Sequence, residues 1–260
     1  MTILVTGAAG VLGRAVTEIL AVRGVPVRAV TRTHPLDVRP GGSIEEIRAD
    51  LSTPENLNGL LDGVGAMIHC ASAPRTPDRD RFLIDALIRE ARRAGLPHFL
   101  YVGIAGIDGV SGYDYYTAKR DCEQRLAASG LPHSIVRITQ FHPFCAMILH
   151  RLSIGPVTVL PAMTLQPVDV GFAAACLADV ATGAPVGRAP DIHGPAPLDA
   201  DALVAGWRAG TGRPGRRIRI PPFGPLKALG RLAAVQGVSG GLSWRDWAAR
   251  AARTRNPYDR

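Results

Sequence analysis

The chain has 260 residues, of which 47% are hydrophobic and 20% are charged, and its formal net charge is +8 at pH 7. This length and composition exclude a disordered chain and fit one α/β domain with a modest addition. No apolar run reaches membrane-spanning length, and residues 1–20 lack the charged segment and cleavage site of a signal peptide.

The distribution of charge and the spacing of the cysteines indicate which classes of partner the protein binds. Arginine is spread along the chain, whereas lysine occurs only at Lys119 and Lys227, and no nucleic-acid-binding motif accompanies the arginines. The four cysteines form no C-x-x-C pair and show no metal-ligand spacing, which is typical of reduced core residues. We therefore expect a cytoplasmic protein with a small-molecule substrate, no metal, no nucleic acid and no membrane partner. The expected oligomeric state is a monomer or a homodimer.

The first predicted elements are a strand from residue 2, a glycine turn and a helix over 11–23. Gly7, Gly10 and Gly13 have the spacing Gly-x-x-Gly-x-x-Gly, and this strand–turn–helix context is the one that a dinucleotide-binding fingerprint requires. The first glycine permits the turn, the second lets a pyrophosphate approach and the third lets helix and strand pack closely. The residues predicted to contact the cofactor here are Gly7, Ala9, Gly10, Val11, Leu12, Gly13 and Arg14.

Apolar runs continue to alternate with helical patterns as far as residue 138. The strands predicted after the first cover residues 25–31, 44–49, 66–71, 98–103 and 133–138. The helices predicted between them cover residues 54–62, 79–94 and 114–129. This alternation predicts an α/β fold, a Rossmann-type doubly wound parallel sheet, with ligands bound beyond the carboxyl ends of its strands.

After residue 140 proline and glycine break the chain into shorter elements, with helices predicted at 169–181, 199–210 and 243–253. We expect residues 1–140 to form an NADP(H)-binding Rossmann core. Residues 141–260 are expected to form a smaller C-terminal substrate-binding cap that packs on this core in a single compact unit.

The end of the second strand indicates which nicotinamide cofactor binds. An acid at this position accepts a hydrogen bond from a ribose 2′-OH, whereas an arginine pairs with a 2′-phosphate. Here Thr31-Arg32 closes the strand, no acid precedes Asp37, and Arg14 offers a second cation, so we predict NADP(H). Asp50 suits a contact with the adenine amino group or a helix N-cap. The other cofactor residues predicted at strand ends are Leu51, Ala71, Ser72 and Ala73.

The chain resembles the NmrA-like NAD(P)-binding proteins, which are atypical short-chain dehydrogenase/reductases. The resemblance covers nearly the whole chain and is more specific for fold and cofactor than for substrate. The segments that carry it are Thr6–Gly13, Ala49–Leu51, Tyr115–Lys119, Arg137–His142, Gln166–Val170 and Gly241–Trp247. This family includes quinone and ether reductases, tailoring enzymes of secondary metabolism and redox-sensing regulators.

The resemblance implies that Tyr115 moves the proton during hydride transfer, while Lys119 lowers the tyrosine pKa and holds the nicotinamide ribose. The family's usual serine at the end of the fifth strand is replaced by Gly103. The substrate oxyanion is then left to Tyr115 alone, a backbone N–H, His142 or the substrate's own hydroxyl. Gly103, Phe141 and His142 are the predicted substrate residues.

These observations predict an NADP(H)-dependent oxidoreductase of secondary metabolism that acts on a bulky, apolar carbonyl, quinone or conjugated compound. The apolar character of the substrate is inferred from the side chains of Phe141, Phe144, Met147, Met163 and Trp207. Two alternatives stay open. The loss of the serine is compatible with an epimerase, cyclase or dehydratase, and the family also contains non-catalytic regulators that bind NADP(H).

Overall fold

The computed structural model describes residues 1–36, 38, 42–212, 216–221, 224–230, 232, 236–251 and 256–258. The chain divides into two compact units. The first contains residues 1–103, 114–137 and 174–189, and the second contains residues 104–113, 138–173 and 190–260. These units interleave along the sequence, and the predicted substrate-binding role of residues 141–260 stays a prediction.

The first part of the chain alternates strands and helices. Its elements are β1 (Thr2–Thr6), α1 (Val11–Val22), β2 (Val27–Thr31), β3 (Ile44–Arg48), β4 (Val64–His69), α2 (Pro77–Ala94), β5 (Phe99–Ile104), α3 (Asp114–Ala127) and β6 (His133–Ile138). Short 3₁₀ turns cover Pro54–Leu57 and Ile107–Gly109.

Shorter elements follow. They are α4 (His142–Arg151), β7 (Ser153–Ile154), β8 (Val157–Pro161), β9 (Thr164–Leu165), α5 (Val170–Thr182), β10 (Gly187–Arg188), β11 (Asp191–His193), β12 (Leu198–Asp199), α6 (Ala200–Thr211), β13 (Arg216–Ile220), α7 (Gly224–Leu229), β14 (Gly237–Ser239) and α8 (Trp244–Ala251). Among the described residues, no helix is long and apolar enough to cross a membrane.

The sheet of the first unit confirms the predicted Rossmann-type α/β fold. Its strands lie in the order β6-β5-β4-β1-β2-β3, and the pairs β1–β2, β1–β4, β2–β3 and β4–β5 are parallel. This order places β1 and β4 side by side, so the turn that follows β1 lies next to the segment that follows β4. That edge is where the predicted cofactor residues meet.

The core of the first unit explains why these segments form buried strands and helices. Apolar residues of the central strands, such as Leu4, Met67 and Phe99, are buried. The apolar faces of α2 and α3 cover them with Leu87 and Leu126, which belong to the same hydrophobic cluster. Burial on both faces of the sheet accounts for the nearly continuous apolar runs in the sequence.

In the second unit β11 pairs with β14 and lies opposite the last residue of β6, through Ile192 and Ile138. Two small sheets have the strand orders β12-β9 and β13-β8-β7. The predicted helices at 169–181 and 199–210 lie within one residue of α5 and α6. Helix α8 corresponds to the prediction over 243–253, of which residues 252 and 253 lie outside the described residues.

Two segments differ from the sequence-based expectation. Residues 54–62, predicted as a helix, form only the 3₁₀ turn and then irregular turns, because Gly59 adopts φ +73° and ends any right-handed helix there. Helix α4 was not predicted, and it begins at the His142-Pro143 step. Proline is compatible with the first turn of a helix, whose N–H groups have no helical partners.

Candidate active site

The glycine turn after β1 is held against the segment after β4. Gly7 adopts φ +65°, and a Cβ added to it would come within 2.9 Å of Cα and N of Ala71. The Ala71 N–H donates to Thr6 Oγ1 at 3.2 Å, and Thr6 Oγ1 lies 2.8 Å from Nδ1 of the buried His69. Only glycine fits this turn, because it combines a left-handed conformation with a close backbone contact.

The start of α1 fits an anionic ligand. The Gly10 N–H donates to Gly7 O at 2.8 Å, and a Cβ on Gly13 would overlap with the same oxygen. Helix α1 begins without a side-chain cap and without an acid in its first turn, so the first N–H groups stay open to a ligand. This cradle fits the pyrophosphate of NAD(P)H. Ala9 and Val11 are half-buried beside it, whereas Leu12 points into the core.

The two arginines predicted to bind a 2′-phosphate lie near the same edge. Arg14 is half-buried in the first turn of α1, and Arg32 is exposed directly after β2. An acid that the sequence-based prediction missed lies close by, because Glu46 Oε1 accepts from Thr31 Oγ1 at 2.9 Å and from Leu36 N at 3.1 Å. Glu46 comes from β3, so only the β2–β3 pairing brings it to the end of β2. Asp37 lies outside the described residues.

Asp50 is held by neighbouring hydrogen-bond donors. Its carboxylate accepts from the backbone N–H and the hydroxyl of Ser52 at 3.0 and 2.7 Å, and from Arg79 Nη2 at 2.6 and 2.8 Å. The Ser52 N–H and the Arg79 guanidinium hold the Asp50 pKa well below its usual range. Asp50 therefore stays ionised and anchors Arg79 at the end of β3, while Leu51 is buried.

Asp80 on α2 holds the segment after β4, and the sequence-based prediction missed it. Asp80 Oδ1 accepts from Ala73 N at 2.7 Å, and Oδ2 accepts from Ser72 Oγ at 3.0 Å. The Ser72 hydroxyl also lies 3.1 Å from the Tyr115 hydroxyl. The carboxylate thus places Ser72 beside the phenol that was predicted to move a proton.

Tyr115 and Lys119 lie one turn apart on α3. Lys119 is 4% exposed, and its Nζ lies 5.0 Å from the ring centroid of Tyr101 and 6.0 Å from that of Tyr115. Burial opposes the ammonium charge, but Tyr101, Tyr115 and Asp80 together hold the Lys119 pKa above its usual range. A buried cation therefore lies next to the Tyr115 ring.

Burial also shifts the pKa values of two neighbouring groups, Tyr101 and His69. It raises the pKa of Tyr101 above its usual range, so this hydroxyl stays protonated. Burial, together with the Lys119 charge, lowers the pKa of His69 to about 3, so this imidazole stays neutral. Lys119 is therefore the charged member of this buried group at neutral pH.

Gly103 does not open towards the Tyr115 hydroxyl. A Cβ placed on it would overlap with Glu123 Oε1 and come within 3.0 Å of Arg137 Cγ. These two side chains form a buried ion pair in which Arg137 Nη2 lies 2.6 Å from Glu123 Oε2. Residue 103 therefore lies against a buried ion pair, and its substrate contact stays a prediction.

The substrate role of His142 stays a prediction, and the structure places this residue in a packed core. This residue is fully buried in the second unit, and its ring lies 5.7 Å from that of Trp244 and 5.4 Å from that of Trp247. Neither ring nitrogen has a hydrogen-bond partner within the part of the chain that the structure describes. His142 is a packed core residue there, while its neighbour Phe141 is half-buried.

Comparison with known proteins is consistent with this geometry. A family model described as NAD(P)H-binding matches residues 7–143. The chain is 31% identical over 219 residues to (4-alkanoyl-5-oxo-2,5-dihydrofuran-3-yl)methyl phosphate reductase of Streptomyces griseus subsp. griseus, covering 82% of this chain and 74% of that protein. It is 25% identical over 186 residues to sanguinarine reductase of Eschscholzia californica, covering 53% of this chain and 68% of that protein.

Among solved structures, the fold is similar to that of dTDP-glucose 4,6-dehydratase from Bacillus anthracis in complex with NAD. The TM-score is 0.80 at 12% identity, over 97% of this chain and 96% of that chain.

Among the described residues, no group of three or more His, Cys, Asp and Glu side chains could hold a metal ion. The family match over residues 7–143, the glycine cradle and the similarity to reductases lead to one conclusion: the chain belongs to the NAD(P)H-binding atypical short-chain dehydrogenase/reductase family and is an NAD(P)H-binding oxidoreductase.

Proposed function

We propose that the chain is an NADP(H)-dependent reductase of a bulky, apolar carbonyl, quinone or conjugated compound, with Tyr115 as the proton donor. The observation that carries this proposal is the buried Lys119 ammonium 6.0 Å from the Tyr115 ring. A buried cation beside the ring would offset the negative charge that is left on the Tyr115 oxygen when the proton has been given to the substrate.

Different residues of the first unit would bind the cofactor, donate the proton and offset the charge left on the phenol. The uncapped start of α1 would bind the pyrophosphate of NAD(P)H, which supplies a hydride when it is bound. Tyr115 would donate its phenolic proton to the substrate oxygen, and Lys119 would offset the negative charge left on the phenol. Asp80 fixes the segment 71–73 at the same strand ends.

The preference for NADP(H) rests on Arg14 and Arg32, neither of which has an ion-pair partner among the described residues. A guanidinium fork suits the 2′-phosphate. The nearby Glu46 carboxylate opposes this preference electrostatically, although it is engaged by the hydroxyl of Thr31 and the N–H of Leu36. Two arginines without an ion-pair partner in the described part of the chain, against one hydrogen-bonded acid, favour the phosphorylated cofactor.

The substrate class is supported by the relatives. The Streptomyces griseus protein is named as the reductase of a methyl phosphate whose dihydrofuran ring carries an oxo group and an alkanoyl group, and the Eschscholzia californica protein as the reductase of sanguinarine. The first name describes a ring with conjugated carbonyl groups, so a cyclic, conjugated acceptor is the substrate class that we propose. A role in secondary metabolism is part of the proposal and rests on the family resemblance alone.

Replacement of Tyr115 tests this function. Tyr115→Phe keeps the ring beside Lys119 but removes the proton, so we expect kcat to fall about 10²- to 10⁴-fold with NADPH and a quinone panel. The affinity for NADPH, measured by fluorescence titration, should change less than about twofold. Tyr113→Phe, on the loop before α3, is the matched control and should retain turnover. Near-normal turnover of Tyr115→Phe would reassign the proton donor.

A further inference from the structure

The segment after β4 contains a hydroxyl that the proposed reaction has not yet used. Ser72 is exposed, and its Oγ lies 3.1 Å from the Tyr115 hydroxyl and 3.0 Å from Asp80 Oδ2. Asp80 is 4% exposed and also accepts from Ala73 N at 2.7 Å. One hydroxyl therefore bridges the phenol on α3 to a buried carboxylate on α2.

The direction of these hydrogen bonds follows from the number of protons. A carboxylate oxygen accepts, so the Ser72 hydroxyl donates its single proton to Asp80 Oδ2. The contact between Ser72 and Tyr115 is then made by the Tyr115 O–H, which donates to Ser72 Oγ. At rest, the proton that the proposed function assigns to the substrate therefore points at Ser72.

We propose that Ser72 is the proton relay and positioning residue for Tyr115, with Asp80 holding the Ser72 hydroxyl in place. This inference rests on the proposed role of Tyr115. When Tyr115 gives its proton to the substrate oxygen, the Tyr115 oxygen becomes an acceptor and the Ser72 hydroxyl turns towards it. Ser72 then passes its proton to that oxygen as it takes one from water, so each turnover consumes one solvent proton.

The surroundings of Ser72 support a relay. The Ser72 hydroxyl lies between the Asp80 carboxylate and the Tyr115 hydroxyl, so the phenol oxygen is within its hydrogen-bonding reach. Ser72 is open to water, whereas Lys119 and Tyr101 on the other side of Tyr115 are buried. An exposed hydroxyl in contact with the Tyr115 hydroxyl offers a route for a solvent proton.

The first test measures the Tyr115 phenol without cofactor or substrate. The chain has five tyrosines, and subtracting the ultraviolet titration of Tyr115→Phe isolates the Tyr115 curve. Ser72→Ala should raise the phenol pKa by about one unit, because the tyrosinate loses its hydrogen-bond donor. Ser72→Thr should restore the value, and Ser111→Ala, which removes an exposed hydroxyl on the loop before α3, should leave it unchanged. An unchanged pKa in Ser72→Ala would overturn the proposal.

A double-mutant cycle separates the relay from simple electrostatics. Asp80→Asn removes a negative charge and turns the Ser72 hydroxyl towards Tyr115, since an amide that accepts from Ala73 N donates to Ser72. We expect this substitution to lower the phenol pKa, and we expect a smaller effect when Ser72 is already alanine. Equal effects in both backgrounds would show that Asp80 acts through its charge alone, which contradicts the relay.

Kinetics complete the test and distinguish its failure from failure of the proposed function. In Ser72→Ala the alkaline limb of the kcat profile should move with the phenol pKa, and kcat near neutral pH should fall about tenfold. A uniform loss at every pH, without a shift, would make Ser72 a donor to the substrate and overturn the relay. If Tyr115→Phe retains turnover, the proposed function fails, whereas the titration still decides whether Ser72 controls the phenol.

Discussion

At the scale of single residues, the first unit contains a buried ion pair between α3 and β6. Glu123 and Arg137 are 7% and 12% exposed at their side chains and form an ion pair beside Gly103. Removing one member of a buried ion pair typically costs about 3–5 kcal/mol, because the other charge is left without compensation. Because residue 103 is a glycine, there is room for this ion pair beside it.

This packing predicts the effect of restoring a serine at residue 103. Gly103→Ser should lower the free energy of unfolding by about 1–3 kcal/mol, because the added atoms push against Glu123 and Arg137. It should not raise reductase activity on generic ketones or quinones. Urea unfolding and steady-state kinetics measure the two effects. Gly109→Ser is the control, since a Cβ there meets no atom within 4 Å. A clear rise in activity with Gly103→Ser would contradict this reading.

At the scale of elements, the loops after β1, β2, β3 and β4 meet at one edge of the parallel sheet. Each strand end contributes a polar group: the N–H groups of α1, Arg32, Asp50 and Ser72. Asp50 and Ser72 are held from a neighbouring element, since Arg79 and Asp80 on α2 fix the loops after β3 and β4. The carboxyl ends of parallel strands are the general ligand edge of such folds.

The prediction on cofactor preference concerns Arg32, in the loop after β2. We expect NADPH to bind at least tenfold more tightly than NADH, which corresponds to about 1.4 kcal/mol. Arg32→Ala should remove most of this difference by weakening NADPH binding alone, since NADH has no 2′-phosphate. Fluorescence titration with both cofactors measures it. Arg89→Ala, which removes an exposed arginine on α2, should not change the ratio. Equal affinities in the unchanged protein would reject the assignment of Arg32.

At the scale of the whole molecule, neutral histidines are buried in both units. Burial lowers the pKa of His69 to about 3 and that of His142 to about 4, whereas both titrate near 6.5 in the unfolded chain. The unfolded chain therefore binds more protons between these values. Stability is complete above pH 6.5 and falls as the pH drops towards 4.

His142→Phe tests this linkage, because phenylalanine keeps an aromatic ring between Trp244 and Trp247 without a titratable group. The loss of unfolding free energy between pH 7.5 and 4.5 should be about 2–3 kcal/mol smaller in the variant than in the unchanged protein. Urea unfolding followed by tryptophan fluorescence measures it. His150→Gln removes an exposed histidine and should retain the full pH dependence. The same slope in His142→Phe would show that His142 is protonated in the fold.

Much of the fold could be predicted from the sequence, because the signals are local. The glycine spacing at residues 7, 10 and 13 predicts a strand, turn and helix, and apolar periodicity predicts the strands up to residue 138 and most of the helices. The same local rules fail at residues 54–62, where Gly59 ends a helical pattern, and at α4, whose first turn tolerates a proline. Short patterns do not reveal such competing conformations.

By itself, the sequence determined the anion-binding turn and the Tyr115–Lys119 pair, since each depends on residues a few positions apart. It also determined the fold class, because the alternation of strands and helices is a series of such local patterns. Only the tertiary structure decided which groups surround them. Ser72 meets Tyr115 across 43 residues, and the buried rings of His142 and Trp244 come from α4 and α8. Such contacts arise because packing brings distant elements together, and no local propensity encodes which side chains then meet.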